Sequence, residues 1–245
     1  MRCSYQYTFL EIPTLRFQSQ INKKVEKFSK FLDSISKDNT KGSLFIMGDL
    51  FDYYFEYKNQ TSSDYEKIFT KIEGIKDKGF KIYFIAGNHD YWIGDYFKKY
   101  TTKTFLDDTS IDYKNNRIYV THGDGILSWD NSYRLLKRVL RSNIFIKMYS
   151  LLPKNIALKI AKKISHERKD SHYLDQEKIN RIHDELDSFA QQKIDGGFKY
   201  VIMGHYHHLY QKELNNGELI LLGECNEENY NYAMFDGDKL EIKNF

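Results

Sequence analysis

The side chains best suited to chemistry fall in four short polar clusters: Gly48-Asp49, Gly87-Asn88-His89-Asp90, His122-Gly123-Asp124 and Gly204-His205-Tyr206-His207. A carboxylate, an amide oxygen and imidazoles form a mixed hard and borderline donor set, which suits Mn²⁺, Fe²⁺ or Zn²⁺ better than Ca²⁺. Asp49, Asn88, His122 and His205 are the candidate ligands of one ion. His207, two residues after His205, points to the same side of an extended segment and can reach a second. A carboxylate shared by two ions roughly 3.5–4 Å apart is the usual basis of a two-metal hydrolytic site, and Asp49 is the candidate for that bridge. Taken singly the clusters are ordinary. Gly-Asp is most often a turn, and one His after a strand is more often a packed side chain than a ligand. The joint pattern is what carries the metal reading.

The elements that must position these clusters are legible around them. Each cluster follows a short apolar run, Ser43–Met47, Lys81–Ala86, Arg117–Thr121 and Tyr200–Met203, that reads as a buried strand. In open α/β sheets ligands gather at the carboxyl ends of strands, so the four clusters should converge. Helical periodicity lies between the strands, over Ile21–Ile35 and Tyr65–Ile75. Asn215-Asn216-Gly217 and Asp236-Gly237-Asp238 read as turns of closing hairpins. Strand, helix, strand at this spacing gives an α/β layered fold. Residues 131–197 interrupt the rhythm with helical pattern, and are read as a cap inserted into one domain spanning 1–245.

The chain has 245 residues, 41% hydrophobic and 29% charged, with two prolines, so one large core is expected. Cys3 and Cys225 lie far apart without metal-knuckle spacing, which excludes a disulfide scaffold and suits a reducing compartment. No run approaches the ~18 apolar residues of a membrane span, and the first thirty residues lack a secretory apolar run, so a cytoplasmic protein is expected. The net charge of +3 hides an asymmetry. Nine Lys/Arg and no Asp/Glu lie between Asn131 and His166, leaving 28 basic against 34 acidic residues elsewhere. Apolar residues from Leu135 to Ile164 interleave with those charges and break at Pro153, as two amphipathic helices would. A solvated lid is one reading. Another is a cap whose basic residues touch anionic phospholipid while its apolar residues admit acyl chains. On that second reading, charge reversal at Lys137, Arg138 and Arg141 should chiefly weaken liposome association. Nucleic-acid binding finds no motif, and the acidic remainder argues against it.

The order Gly-Asp-x-x-Asp, Gly-Asn-His-Asp, His-Gly-Asp and Gly-His-x-His, over residues 48–207, resembles the calcineurin-like metallophosphoesterases. Within that superfamily the chain is similar to the UDP-2,3-diacylglucosamine hydrolases of lipid A synthesis, through Gly48-Asp-Leu-Phe-Asp-Tyr53, Gly87–Asp90, His122–Asp124 and Asp130-x-x-Tyr133. The resemblance implies a layered β-sandwich flanked by helices, a divalent transition metal with Mn²⁺ foremost, and metal-activated water attacking the α-phosphorus to release UMP. It implies His89 beside the scissile phosphate as proton donor or charge stabiliser, oriented by Asp90, with Asp52 and His208 close to the ligands. Asn88, Asp130, Tyr133, Arg168, Ser171 and Lys178 look like the positions that hold diphosphate and sugar. It also implies an acylated sugar nucleotide as substrate and a peripheral location on the inner face of the inner membrane.

The chain departs from this family at its beginning. The family opens with Asp-x-His after its first strand, yet there is no Asp here before Asp33 and no His before His89. Aligning Ile12-Pro-Thr-Leu15 with the family's continuation puts Tyr7 and Phe9 at the two ligand positions. One well-formed metal site and a second, weak or vacant one are therefore expected. A one-metal variant, a degenerate enzyme and an altered amino-terminal reading frame all fit that break. A generic phosphoesterase on nucleotides or phosphoproteins, and a lipid-binding pseudoenzyme, stand as alternative functions.

Overall fold

The computed structural model describes residues 6–11, 21–37, 41–51, 54–56, 65–153, 156–157, 159, 176–223 and 230–245. Two sheets face one another. The first takes β1 (Gln6–Leu10), β2 (Gly42–Ile46), β3 (Lys81–Ile85), β4 (Lys103–Phe105), β10 (Asn231–Phe235) and β11 (Leu240–Asn244), in the order β11-β10-β1-β2-β3-β4. The second takes β5 (Thr109–Tyr113), β6 (Asn116–Thr121), β7 (Tyr200–Met203), β8 (Tyr210–Leu214) and β9 (Gly217–Leu221), in the order β5-β6-β7-β9-β8. Strands β1 to β4 pair in parallel, as do β6, β7 and β9. Their carboxyl ends thus lie together within each sheet.

Alternation along the strands builds the layers. Phe9, Phe45, Met47 and Ile85 point inward from the first sheet to meet Ile118, Val120, Ile202 and Ile220 from the second. The opposite face of the first sheet, with Leu10, Leu44, Ile46 and Phe84, is covered by α1 (Ile21–Ile35), α2 (Glu66–Asp77) and α3 (Asp95–Lys98). With both faces covered, every residue of β2 is buried, as parallel sheets require. The result is a β-sandwich flanked by helices.

The insertion between β6 and β7 divides into two kinds of helix. After α4 (Asn131–Leu140) and α5 (Asn143–Ser150), α6 (Gln176–Asp195) lays Ile182, Leu186, Ala190 and Ile194 on Val201, Met203, Leu219 and Leu221. It is a layer of the fold and no part of a lid, so the cap read over 131–197 ends before it. The helices break at Leu151–Pro153, as the proline predicts, and also at Arg141-Ser142, where Ser142 leaves the helix with ψ 138° and caps α5 by accepting from the Phe145 N–H.

α4 is inverted with respect to ordinary packing. None of its residues is buried, and its apolar stripe faces outward, with Leu135 60% exposed. Its basic stripe faces the body: Lys137 Nζ lies 2.9 Å from Asp124 Oδ2, and Arg141 reaches Asp124 and Asp107 at 3.5 and 3.4 Å. The expectation that Lys137 and Arg141 meet lipid is therefore corrected; they clamp the cap to the body. On α5 and beyond, Ile144 and Leu151 are 74% and 84% exposed. Among the described residues no helix is long and apolar enough to cross a membrane.

Candidate metal centre

Asp49, Asn88, His122 and His205 follow β2, β3, β6 and β7, and their side chains meet at the mouth between the sheets. The ligating atoms of Asp49, His122 and His205 lie within 4.8 Å of one another. His122 Nδ1 donates to the Met47 carbonyl at 2.6 Å, which turns Nε2 toward Asn88 Oδ1 at 3.3 Å and Asp49 Oδ2 at 3.4 Å. That carbonyl fixes the orientation a metal-binding imidazole needs. Among the described residues, the buried His205 Nδ1 has no hydrogen-bond partner.

The electrostatics match a cation. Burial opposes ionisation of His205, and the nearby His122 charge adds to it, so its pKa falls to about 3 and the ring is neutral. Burial also opposes a charged His122, but the Asp49 carboxylate outweighs it and raises the His122 pKa to about 10. For Asp49 burial is likewise overcome, by the His122 and His89 charges, and the carboxylate is held well below its usual range. In the absence of metal a proton on His122 balances Asp49, and an ion bound at Nε2 takes that proton's place. The donor set, its tautomer and the partnerless nitrogen fit a divalent transition metal.

The backbone is shaped around these groups. Asp49, His205 and His207 have φ of 53°, 75° and 60°. Each such residue costs about 1–3 kcal/mol and persists only where its surroundings impose it. Asp90 is one such constraint. Fully buried, it accepts from the N–H groups of Gly87 at 2.9 Å, Asp49 at 3.2 Å and Phe51 at 3.5 Å, joining the two loops. Burial, with the Asp49 charge adding to it, raises its pKa to about 7. Gly87 is required because a Cβ there would stand 2.1 Å from Asp49 Oδ1 and 2.6 Å from its nitrogen. Gly87→Ala is expected to cost about 3 kcal/mol of stability and to displace Asp49, so that melting temperature and metal affinity fall together; unchanged metal binding would refute this account.

Glu11 is the residue that sequence reasoning missed. Tyr7 and Phe9, assigned to the ligand positions, pack in the sandwich interior, where Phe9 stacks on Phe45 at 5.1 Å. The alternation that buries Phe9 brings Glu11, the first residue after β1, to the same face at the strand's end. Its side chain is fully buried. Oε1 accepts from the His205 N–H at 2.7 Å and lies 3.3 Å from His207 Nδ1, while Oε2 has no hydrogen-bond partner among the described residues. A carboxylate thus does stand beside His207 at the second position. One signal could have found it, since Glu11 is the single acidic residue before Glu26.

His89 is half-buried beside Asn88, with its N–H donating to Asp49 Oδ1 at 2.9 Å and its carbonyl accepting from Tyr54 N–H at 3.1 Å. Asp124 receives the Tyr133 hydroxyl together with Lys137 and Arg141, so the third residue of His-Gly-Asp anchors the cap to the loop that carries His122. Burial would lift its pKa, and the surrounding cations hold it well below the usual range instead. Asp130 caps α4 by accepting from the Tyr133 N–H, and the Tyr133 ring lies 6.4 Å from that of His205. Lys178 is exposed in the first turn of α6. Asp52, Arg168 and Ser171 lie outside the described residues.

A family model described as calcineurin-like phosphoesterase matches residues 21–209, which include all five expected metal ligands. A protein of Neisseria meningitidis serogroup B named UDP-2,3-diacylglucosamine hydrolase is 26% identical over 211 residues, 85% of this chain and 86% of that one. The protein of the same name from Haemophilus influenzae strain PittGG is 30% identical over 192 residues, 78% of each chain.

Proposed function

The chain belongs to the calcineurin-like phosphoesterase family and is a metal-dependent phosphoester hydrolase, and on that premise we propose that it cleaves UDP-2,3-diacylglucosamine at the α-phosphorus, giving UMP and 2,3-diacylglucosamine 1-phosphate. The names of its relatives favour that substrate. The structural observation that carries the reading is the inverted α4, which turns an apolar surface outward next to the metal centre while Asp124 ties it to the His122 loop. A diacylated substrate needs such a surface beside a polar reaction site. A nucleotide or phosphoprotein substrate does not.

In this reading Asp49, Asn88, His122 and His205 hold one ion, with Mn²⁺ the favoured metal, and Glu11 and His207 join Asp49 at the second position. A divalent ion there acidifies water and neutralises phosphoryl oxygens. His89, fixed by the bonds its backbone makes to Asp49 and Tyr54, delivers a proton to the departing sugar phosphate. Tyr133 flanks the sugar, and Asn88 contributes its amide. By resemblance to the family, Arg168, Ser171 and Lys178 are assigned to the diphosphate. The test is UMP release from UDP-2,3-diacylglucosamine by Mn²⁺-loaded protein, compared with hydrolysis of bis(4-nitrophenyl) phosphate. Turnover of the simple diester alone would favour a generic phosphoesterase.

The same apolar face supports a reading in which the protein lies on the cytoplasmic surface of the inner membrane. Replacing Leu135, Ile144 and Leu151 together by serine removes three large exposed side chains, each contributing about 1.5–3 kcal/mol when buried. Vesicle association should fall at least 100-fold with no loss of melting temperature. Unchanged co-sedimentation with anionic vesicles would sink the membrane reading.

A further inference from the structure

We propose that His183, on α6, is a positioning residue for the metal centre, acting through His208 on the loop that presents His205 and His207. The inference rests on the metal site and is independent of the substrate. The loop between β7 and β8 holds two residues of positive φ with Tyr206 between them, so its shape must be imposed from outside. Three of the contacts that reach it matter most. Glu11 receives the His205 N–H, and the Tyr206 hydroxyl donates to the Gly123 carbonyl at 3.3 Å. The third runs to α6.

His208 Nδ1 lies 3.0 Å from the Tyr206 carbonyl oxygen. A carbonyl only accepts, so Nδ1 carries the proton and Nε2 of the neutral ring is left as an acceptor. His183 Nε2 stands 2.6 Å from that Nε2 and must be the donor. Two N–H groups thus run in series from the helix to the peptide between the two metal-binding histidines. The far end of the series is rigid. His183 stacks on Tyr210, with ring centroids 3.9 Å apart and planes 11° from parallel. The Tyr210 hydroxyl donates to Asp187, which Lys212 also holds, and the neighbouring Ile182 and Leu186 are buried against the second sheet. Outer partners of this kind orient ligands and typically change metal affinity 10–100-fold.

The experiment titrates chelator-stripped full-length protein with Mn²⁺ by calorimetry and records the melting temperature of the stripped protein. His183→Phe keeps the ring on Tyr210 and removes the donor; His183→Gln restores an N–H donor. Mn²⁺ affinity is expected to drop about 10-fold or more in His183→Phe, at a nearly unchanged apo melting temperature, and to recover to within about threefold of the original in His183→Gln. His208→Phe, which breaks the series from the other end, should show the same loss, and the double variant should be no worse than either single one. Wild-type affinity in either phenylalanine variant, or additive losses in the double variant, would overturn the proposal. A loss that glutamine does not rescue would assign His183 to packing alone.

Discussion

Asp49→Ala is expected to abolish tight metal binding and to lower phosphoester hydrolysis by at least about 10⁴-fold, or roughly 5.5 kcal/mol of transition-state stabilisation. The size follows from how many groups depend on this one carboxylate. Oδ2 faces His122, Oδ1 accepts the His89 N–H, and its own N–H is held by Asp90. Removing the charge also changes the protonation of the site. His122 owes its raised pKa chiefly to Asp49, so without that carboxylate its buried ring tends to the neutral form, and only the neutral Asn88, His122 and His205 remain to receive a cation at the first position. Asp49→Asn separates charge from shape, because the amide oxygen still fits against Gly87. It should fold like the original protein and remain inactive. Calorimetry with Mn²⁺ and initial rates on bis(4-nitrophenyl) phosphate decide the matter; activity within tenfold of the original would remove Asp49 from the metal site.

Glu11→Gln should have effects of opposite sign on binding and on stability. A fully buried carboxylate whose Oε2 finds no donor among the described residues is destabilising by a few kcal/mol in the absence of a cation. Neutralising it should leave the metal-free protein as stable as before or more so. Affinity for a second Mn²⁺ should nonetheless fall by at least about 100-fold, the upper end of what losing a mere outer partner costs. The first ion, held by Asp49, Asn88, His122 and His205, should bind as before. A residue that only braced the His205 loop would behave otherwise, since glutamine's own carbonyl could still accept the His205 N–H and nothing would change. Two binding events that survive intact in Glu11→Gln would refute the assignment. The second position has three protein groups against four at the first, so its ion should be the weaker one in the unaltered protein.

What could be read in advance followed physical locality. Four strands, each ending at its polar cluster, were legible because burial on both faces writes a continuous apolar run and the exit needs Gly, Asp or His within a residue or two. The helix over Ile21–Ile35 was legible to its end residues, since its 3.6-residue period has no competitor. The donor set was legible for the same reason. Glu11 was not, because one glutamate after a short strand has no periodicity and is told from a surface residue only by what packs across from it. The orientation of α4 was equally hidden. An amphipathic pattern separates two faces without saying which one meets the body, and Asp124, Tyr133 and Lys137 settle that only in three dimensions. His183 and His208 are 25 residues apart, and no spacing rule links them.

The oxygen donors, Glu11, Asp49 and Asn88, all leave the first sheet, and the imidazoles, His122, His205 and His207, all leave the second. An ion held among them is a rivet through the open end of the sandwich, joining an anionic lip to a basic one. Metal affinity is then also cohesion between the sheets, growing with free ion as RT ln(1 + [L]/Kd). Chelation should unfasten that edge first, ahead of the aromatic interior around Phe9, Phe45 and Phe235. The catalytic centre would double as a clasp.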